Sequence, residues 1–203
     1  MQNIRNIIFD LGGIFLNIDF KRTEKAFSAL GVEFNNFYSQ HHASELFELL
    51  ETGKISPEEF HNAFVEETGL HLSYEQLKYA WTALLLDFPV ERIKWLQEIG
   101  KRYKTFLFSN TNKIHHDVFA EMFREKTGFE DFNKLFVKAY YSHEMGLRKP
   151  YPESYLYILN EQQLKPQETL FIDDTLKNIE GAEQVGLQTL HLVPPKTVLD
   201  LTL

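Results

Sequence analysis

The stretch Ile7-Ile8-Phe9-Asp10-Leu11-Gly12-Gly13 decides how the rest of the chain is read. An unbroken apolar run that ends in a carboxylate and then two glycines predicts a buried parallel strand. Such a strand delivers Asp10 to the carboxyl edge of a sheet, where open α/β folds keep their ligand crevice. The glycines permit a tight turn and a close backbone approach, so the following loop is suited to wrap a small anion or to present a carbonyl to a metal. Alone, the stretch fits an aspartate that merely caps the next segment equally well. Three later segments decide between the two.

Beyond this strand, residues 20–87 read as helices only. Phe20 to Leu30 is helical up to Gly31, and Leu46, Phe47, Leu49 and Leu50 line a second helix that stops near Gly53. Ser56-Pro57-Glu58-Glu59 has the form of a capping box with proline at the first helical position, and Ser73-Tyr74-Glu75-Gln76 repeats the start signal. From Pro89 helices alternate with short strands, as in a sheet with crossover helices. Thr105-Phe106-Leu107-Phe108 is a strand ending at Ser109-Asn110. Leu135-Phe136-Val137 is another, Leu170-Phe171-Ile172 a third ending at Asp173-Asp174, and Thr189 to Val193 the last. The expected fold is α/β, a Rossmann-like parallel sheet core (residues 1–19 and 88–203) with an inserted α-helical cap (residues 20–87), placed to act as a lid.

The totals narrow the function. A chain of 203 residues with 43% hydrophobic content builds a sizeable core, and 21 basic against 29 acidic residues give a net charge of -8 that disfavours nucleic acid as a partner. With no cysteine there is no thiolate nucleophile or thiolate metal site. The first apolar run is too short for a signal peptide, and no apolar stretch approaches the roughly 20 residues of a membrane span. The protein is expected to be cytoplasmic, with no membrane partner.

Parallel strands bring their carboxyl ends together, so Asp10, Ser109-Asn110, Lys149 and Asp173-Asp174 are expected in one crevice. Carboxylates without nearby His or Cys suit a hard cation such as Mg2+, held together with waters and a substrate phosphate. Lys149 would place positive charge on phosphoryl oxygens, Ser109 and Asn110 would donate hydrogen bonds, and Asp10 is left as a nucleophile. Each piece also has a plain reading: acidic pairs cap helices, and a lysine before a proline is commonly solvated.

At these residues the sequence resembles the haloacid dehalogenase-like superfamily of phosphohydrolases, over nearly the whole chain. Asp10 after an apolar strand, Ser109 after a second, then Lys149 and the pair Asp173-Asp174 follow the family's order and spacing, and the helical insertion resembles its type 1 cap. The resemblance implies that Asp10 is the nucleophile and that Asp10, Asp174 and the carbonyl of Gly12 bind magnesium, with Asp173 in support. It also implies that Ser109, Asn110 and Lys149 serve the phosphoryl group of a small phosphate ester.

One position departs from the pattern. Most phosphatases of this family carry a second aspartate two residues after the nucleophile as general acid and base. Here that position is Gly12, and loss of such a group costs about 10²–10⁴ in rate. Phe9-Asp10-Leu11-Gly12, Asn17-Ile18-Asp19-Phe20, Ser109-Asn110-Thr111-Asn112 and Gly146-Leu147-Arg148-Lys149-Pro150 nevertheless look like a branch that includes a bacterial α-glucose-1-phosphate phosphatase and lacks the same aspartate. An anomeric hydroxyl is a more acidic leaving group than an ordinary alcohol and needs less protonation, so a hexose 1-phosphate is the expected substrate. The alternatives are a noncatalytic phosphometabolite binder and a 2-haloacid dehalogenase, while a mutase is disfavoured without the acid/base residue. Asp19 reads as a helix cap rather than a substitute base. His41-His42 and His115-His116 read as solvated or packing residues rather than metal ligands, and Trp81, Phe60 and Phe64 as packing within the cap.

Overall fold

The structure, a computed structural model, describes residues 3–39 and 42–203. The chain begins with β1 (Asn6–Phe9) and β2 (Asn17–Ile18), followed by α1 (Phe20–Ala29), β3 (Tyr38–Ser39), β4 (His42–Ala43), α2 (Glu45–Glu51), α3 (Pro57–Thr68), α4 (Tyr74–Thr82) and β5 (Leu85–Asp87). It continues with α5 (Val90–Ile99), β6 (Lys104–Ser109), α6 (Lys113–Thr127), β7 (Lys138–Tyr141), α7 (Ser142–Met145), α8 (Pro152–Glu161), β8 (Thr169–Asp173), α9 (Leu176–Gln184) and β9 (Gln188–His191).

Five strands form one sheet in the order β7-β6-β1-β8-β9, every neighbouring pair parallel. Ile7 stands beside Thr105 and Leu170, and Phe9 beside Leu107 and Ile172. The two-residue period of a strand then separates the side chains by face. Ile7, Phe9, Leu107, Leu170 and Ile172 pack with Ile93 and Leu96 of α5 and Phe119 and Phe123 of α6. Ile8, Phe106, Phe108 and Phe171 pack with Tyr155 and Ile158 of α8 and Ile179 of α9. Both faces are covered, which is why these strands read as unbroken apolar runs.

Helices α1 to α4 close around a separate aromatic cluster. Phe27 stacks on Phe34 at 4.4 Å, and Trp81 meets Phe47 edge-on at 5.0 Å, with Phe60 and Phe64 fully buried beside them. Both capping boxes form, Ser56 with Glu59 and Ser73 with Gln76. Asp19 is the N-cap of α1, its carboxylate accepting from the Lys21 N–H at 3.0 Å.

Two expectations need correction. Residues 20–87 are not purely helical: Tyr38–Ser39 and His42–Ala43 form an antiparallel hairpin, and Leu85–Asp87 pairs with Asn17–Ile18. Strands of two or three residues are too short to leave a periodic signal. The strand expected at Leu135-Phe136-Val137 begins at Lys138 instead. Phe132–Leu135 is a 3₁₀ turn, Phe136 drops into the aromatic packing beneath the sheet, and the ladder starts as the Val137 N–H meets the Thr105 carbonyl at 2.8 Å. The strand that follows lies at the sheet edge, and its Lys138 reaches Glu161 at 2.8 Å rather than the core.

Candidate active site

The sheet delivers its polar residues to one place. Asp10 directly follows β1, and its N–H continues the ladder to the Ile172 carbonyl at 2.9 Å. Ser109 and Asp173 are the last residues of β6 and β8. Lys149 arrives on the loop after β7 and α7, and its Nζ donates to Asp10 Oδ1 at 2.6 Å and to Asp173 Oδ2 at 2.7 Å. All three are buried, Lys149 to 1% exposure, and the ammonium also lies over the rings of Phe108 and Phe171. The plain reading of Lys149 as solvated therefore does not hold.

The loop carrying Lys149 is pinned from two further sides. Asn110 Nδ2 donates to the Lys149 carbonyl and Asn110 Oδ1 accepts the Lys149 N–H, both at 2.9 Å. This amide is committed to holding the lysine backbone and keeps one N–H for a ligand. Behind the loop, α9 approaches so closely that a Cβ on Gly181 would lie 2.2 Å from the Pro150 carbonyl oxygen. A contact this distant in the chain has no local signature in the sequence.

Asp173 anchors the start of α9, accepting from the Thr175 N–H at 2.8 Å and from Asn178 Nδ2 at 3.0 Å. Asp174 stands nearer the opening and accepts from Thr175 Oγ1. Carboxylate oxygens of Asp10, Asp173 and Asp174 lie within 4.8 Å of one another. Burial pushes the Asp10 carboxyl up to about 7, with Asp173 and Asp174 adding to the rise and Lys149 opposing it. Burial, then Asp173, likewise raise Asp174 to about 6. Burial disfavours the Lys149 ammonium, but Asp10 and Asp173 outweigh it and hold its pKa above the ordinary lysine value. Three carboxylates against one ammonium leave an excess of negative charge and only oxygen donors. That set fits a hard divalent cation.

Gly12 and Gly13 let the Asp10 loop lie against this triad. Gly13 has φ +71°, and a Cβ there would sit 2.5 Å from Asp174 Oδ2. Gly12 lines the crevice, and the space beside it, where a Cβ would come 3.0 Å from Ile18 Cδ1, is filled by that side chain.

A cavity of about 300 Å³ opens above the cluster. Asp10, Ser109, Asn110, Lys149 and Asp174 line its base, and Tyr38, His42 and Glu48 come from the helical side. This volume lies at the small end for ligand sites. His42 thus reaches the cavity wall, whereas His41 lies outside the described residues. His115 packs against Trp81 at 4.3 Å and donates from Nε2 to the Trp81 carbonyl at 2.9 Å, and His116 packs on Phe119 and Tyr141. Trp81, Phe60 and Phe64 face the aromatic cluster, not the cavity. Sequence reasoning did not assign Tyr38, Glu48, Arg148 or Asn178 to the site. Only Arg148, adjacent to Lys149, carried a signal.

Residues 4–186 match the family of haloacid dehalogenase-like hydrolases. A D-ribitol-5-phosphate phosphatase from Bacteroides thetaiotaomicron is 30% identical over 189 residues, covering 93% of this chain and 91% of that protein. A glyceraldehyde 3-phosphate phosphatase from Methanocaldococcus jannaschii is 28% identical, covering 89% of this chain and 72% of the relative. Among solved structures, a haloacid dehalogenase family enzyme from Bacteroides thetaiotaomicron, crystallised in a mutant form with magnesium and inorganic phosphate, superposes with a TM-score of 0.88 at 31% identity, covering 95% of this chain and 96% of the other.

Proposed function

The chain belongs to the haloacid dehalogenase-like hydrolase family, and on that premise we propose that it is a magnesium-dependent phosphatase of small sugar or sugar-alcohol monophosphates. The observation that carries this reading is the buried Asp10–Lys149–Asp173 cluster with Asp174 beside it, at the floor of a small polar-lined cavity. The phosphatase names of the relatives and the magnesium and phosphate bound by the similar enzyme support it.

In this reading an Asp10 carboxylate oxygen attacks phosphorus, the bond from phosphorus to the ester oxygen breaks, and an aspartyl phosphate forms on Asp10. Water then attacks the same phosphorus, releasing inorganic phosphate and restoring the carboxylate. Lys149 uses two of its three N–H groups on Asp10 and Asp173, so the third is free to meet a phosphoryl oxygen. Ser109 and the remaining N–H of Asn110 are placed for two more oxygens. Asp10, Asp174 and the Gly12 carbonyl would hold magnesium, backed by Asp173, and the ion supplies positive charge that favours ionised carboxylates and offsets the phosphoryl group. Residues 20–87 act as a cap that supplies Tyr38, His42 and Glu48 to the wall and excludes water.

The substrate preference follows from Gly12. No carboxyl stands there to protonate a departing alkoxide, and Ile18 fills the adjoining space. Esters with acidic leaving groups, hexose 1-phosphates among them, are therefore favoured over 6-phosphates. The test is phosphate release from sugar 1-phosphates, sugar 6-phosphates and sugar-alcohol phosphates, with magnesium and with chelator, using Asp10→Asn as the blank. Magnesium-dependent release that falls by about 10⁴ or more in Asp10→Asn is expected. Equal release by that variant would overturn the covalent route, and faster turnover of 6-phosphates would overturn the role given to Gly12.

A further inference from the structure

Arg148 and Lys149 are neighbours in the chain, yet their charges go to different parts of the molecule. Lys149 turns into the sheet, while Arg148 reaches out to α2, where Nη1 pairs with Glu48 and Nη2 with Glu51 at 3.0 Å. Those glutamates are three residues apart and so lie on one side of the helix. Glu51 is 2% exposed, and its second carboxylate oxygen accepts from the Tyr38 hydroxyl at 2.6 Å. A carboxylate buried this deeply is costly unless it is both paired and hydrogen-bonded. Here the pairing partner comes from the sheet side and the hydroxyl from the β3–β4 hairpin.

The backbone closes the same junction. A Cβ on Gly53, just past the end of α2, would lie 2.0 Å from the His143 carbonyl oxygen in α7, so the helix end rests directly on the segment that leads to Arg148. Lys149 is thus held by Asn110 on one side and, through the preceding residue, by α2 on the other.

We propose that Glu51 is a positioning residue: by holding Arg148 it sets the placement of Lys149, so that the phosphoryl site is complete only while α2 is docked on the sheet. This rests on the reading of Lys149 as a phosphoryl-binding group. Consecutive Cα atoms are about 3.8 Å apart along a stiff peptide unit, so a backbone shift at Arg148 is passed to Lys149. A displacement on the order of 1 Å is enough to cost about 100-fold in rate. Lys149 also contacts Asp10 and Asp173, so the phosphoryl site is read at saturating magnesium, where a shifted ammonium cannot act through loss of the metal.

The test uses the full chain with p-nitrophenyl phosphate, whose acidic leaving group needs no general acid, and measures the affinity for inorganic phosphate and for magnesium separately. Glu51→Gln keeps the shape and the acceptor for Tyr38. At saturating magnesium it is expected to lower kcat/KM by roughly 10- to 100-fold and to weaken phosphate binding to a similar degree. Arg148→Met is expected to do the same, and the double variant to be no worse than the more damaged single, because both act through one contact. A purely structural role would lower the melting temperature and leave phosphate affinity at 25 °C intact. That result, or effects of the two substitutions that multiply, would overturn the proposal. A wild-type protein that neither hydrolyses the ester nor binds phosphate would remove the reading of the site itself, and the inference with it.

Discussion

The sheet buries a cluster of charge at one edge beside its rings, whereas the helical module buries rings with little charge. Beneath the cavity, Lys149, Asp10 and Asp173 are almost wholly removed from water, each held by hydrogen bonds to the others or to nearby backbone and amides. In the module, Phe27, Phe34, Phe47, Phe60, Phe64 and Trp81 share one interior. Its buried polar side chains among the described residues are Thr23, which donates to a backbone carbonyl, and Glu51, which answers to Arg148. The difference separates two tasks. Parallel strands aim functional groups through backbone geometry, so their ends can hold ions at fixed distances. A small helical cluster has no such edge, and its stability comes from non-directional burial.

The largest expected effects contrast these two interiors. Lys149→Met leaves Asp10 and Asp173 facing each other without a cation, and breaking such a buried pair costs about 3–5 kcal/mol. Urea denaturation should show that loss in chelator and a smaller one in magnesium, because a divalent ion neutralises the same carboxylates. Phe34→Ala should cost a similar amount, about 3–5 kcal/mol, through the cavity it leaves, with no dependence on magnesium. If the two variants respond alike to the metal, the contrast between charge-built and ring-built interiors fails.

Next in size is a pH effect at the seam. Asn112 Nδ2 donates to His115 Nδ1, and His115 Nε2 donates to the Trp81 carbonyl, so both ring nitrogens are satisfied by the neutral imidazole. Burial lowers its pKa from 6.5 to about 4, partly opposed by the Trp81 bond. The unfolded state therefore binds the proton first as pH falls. This contribution is fully present above about pH 6.5 and is lost on the way to pH 4, a total of about 3 kcal/mol. His115→Gln should flatten the stability profile in that window relative to wild type, and parallel profiles would count against it.

Smaller effects are expected at the loop and at its exit. Gly13→Ala forces a side chain into a left-handed conformation against Asp174. It should cost about 1–3 kcal/mol and weaken magnesium binding, which a metal titration reads directly. Asp19→Ala should cost about 1 kcal/mol as a lost helix cap and leave turnover unchanged. A drop in rate with stability preserved would instead make Asp19 a participant in the chemistry.

These contrasts also explain what the sequence reveals. Ile7 to Asp10, Thr105 to Ser109 and Leu170 to Asp173 are legible because a strand covered on both faces must be apolar throughout, so a polar stop stands out. The capping boxes at Ser56 and Ser73 are legible because the capping side chain and its partner lie three residues apart. The edge strand at Lys138 is not, since one of its margins faces solvent and the apolar run before it packs elsewhere. Arg148 with Glu51, and Gly181 against Pro150, join residues far apart in the chain, and no local pattern encodes such a meeting.

The ladder between Asn17–Ile18 and Leu85–Asp87, tied further by Asn17 Nδ2 donating to Asp87 Oδ1 at 2.9 Å, has a consequence for how this architecture can be remodelled. The chain leaves the sheet and returns to it through adjacent strands about 5 Å apart. Everything between them is topologically a cassette: it can be exchanged for another insert, or shortened to a tight turn, without moving the two anchor points. Because closure entropy grows only slowly with the length of the inserted segment, the graft site tolerates inserts of very different size. Diversification of the upper wall of the cavity can then proceed as long as the new insert still offers Arg148 an anionic partner.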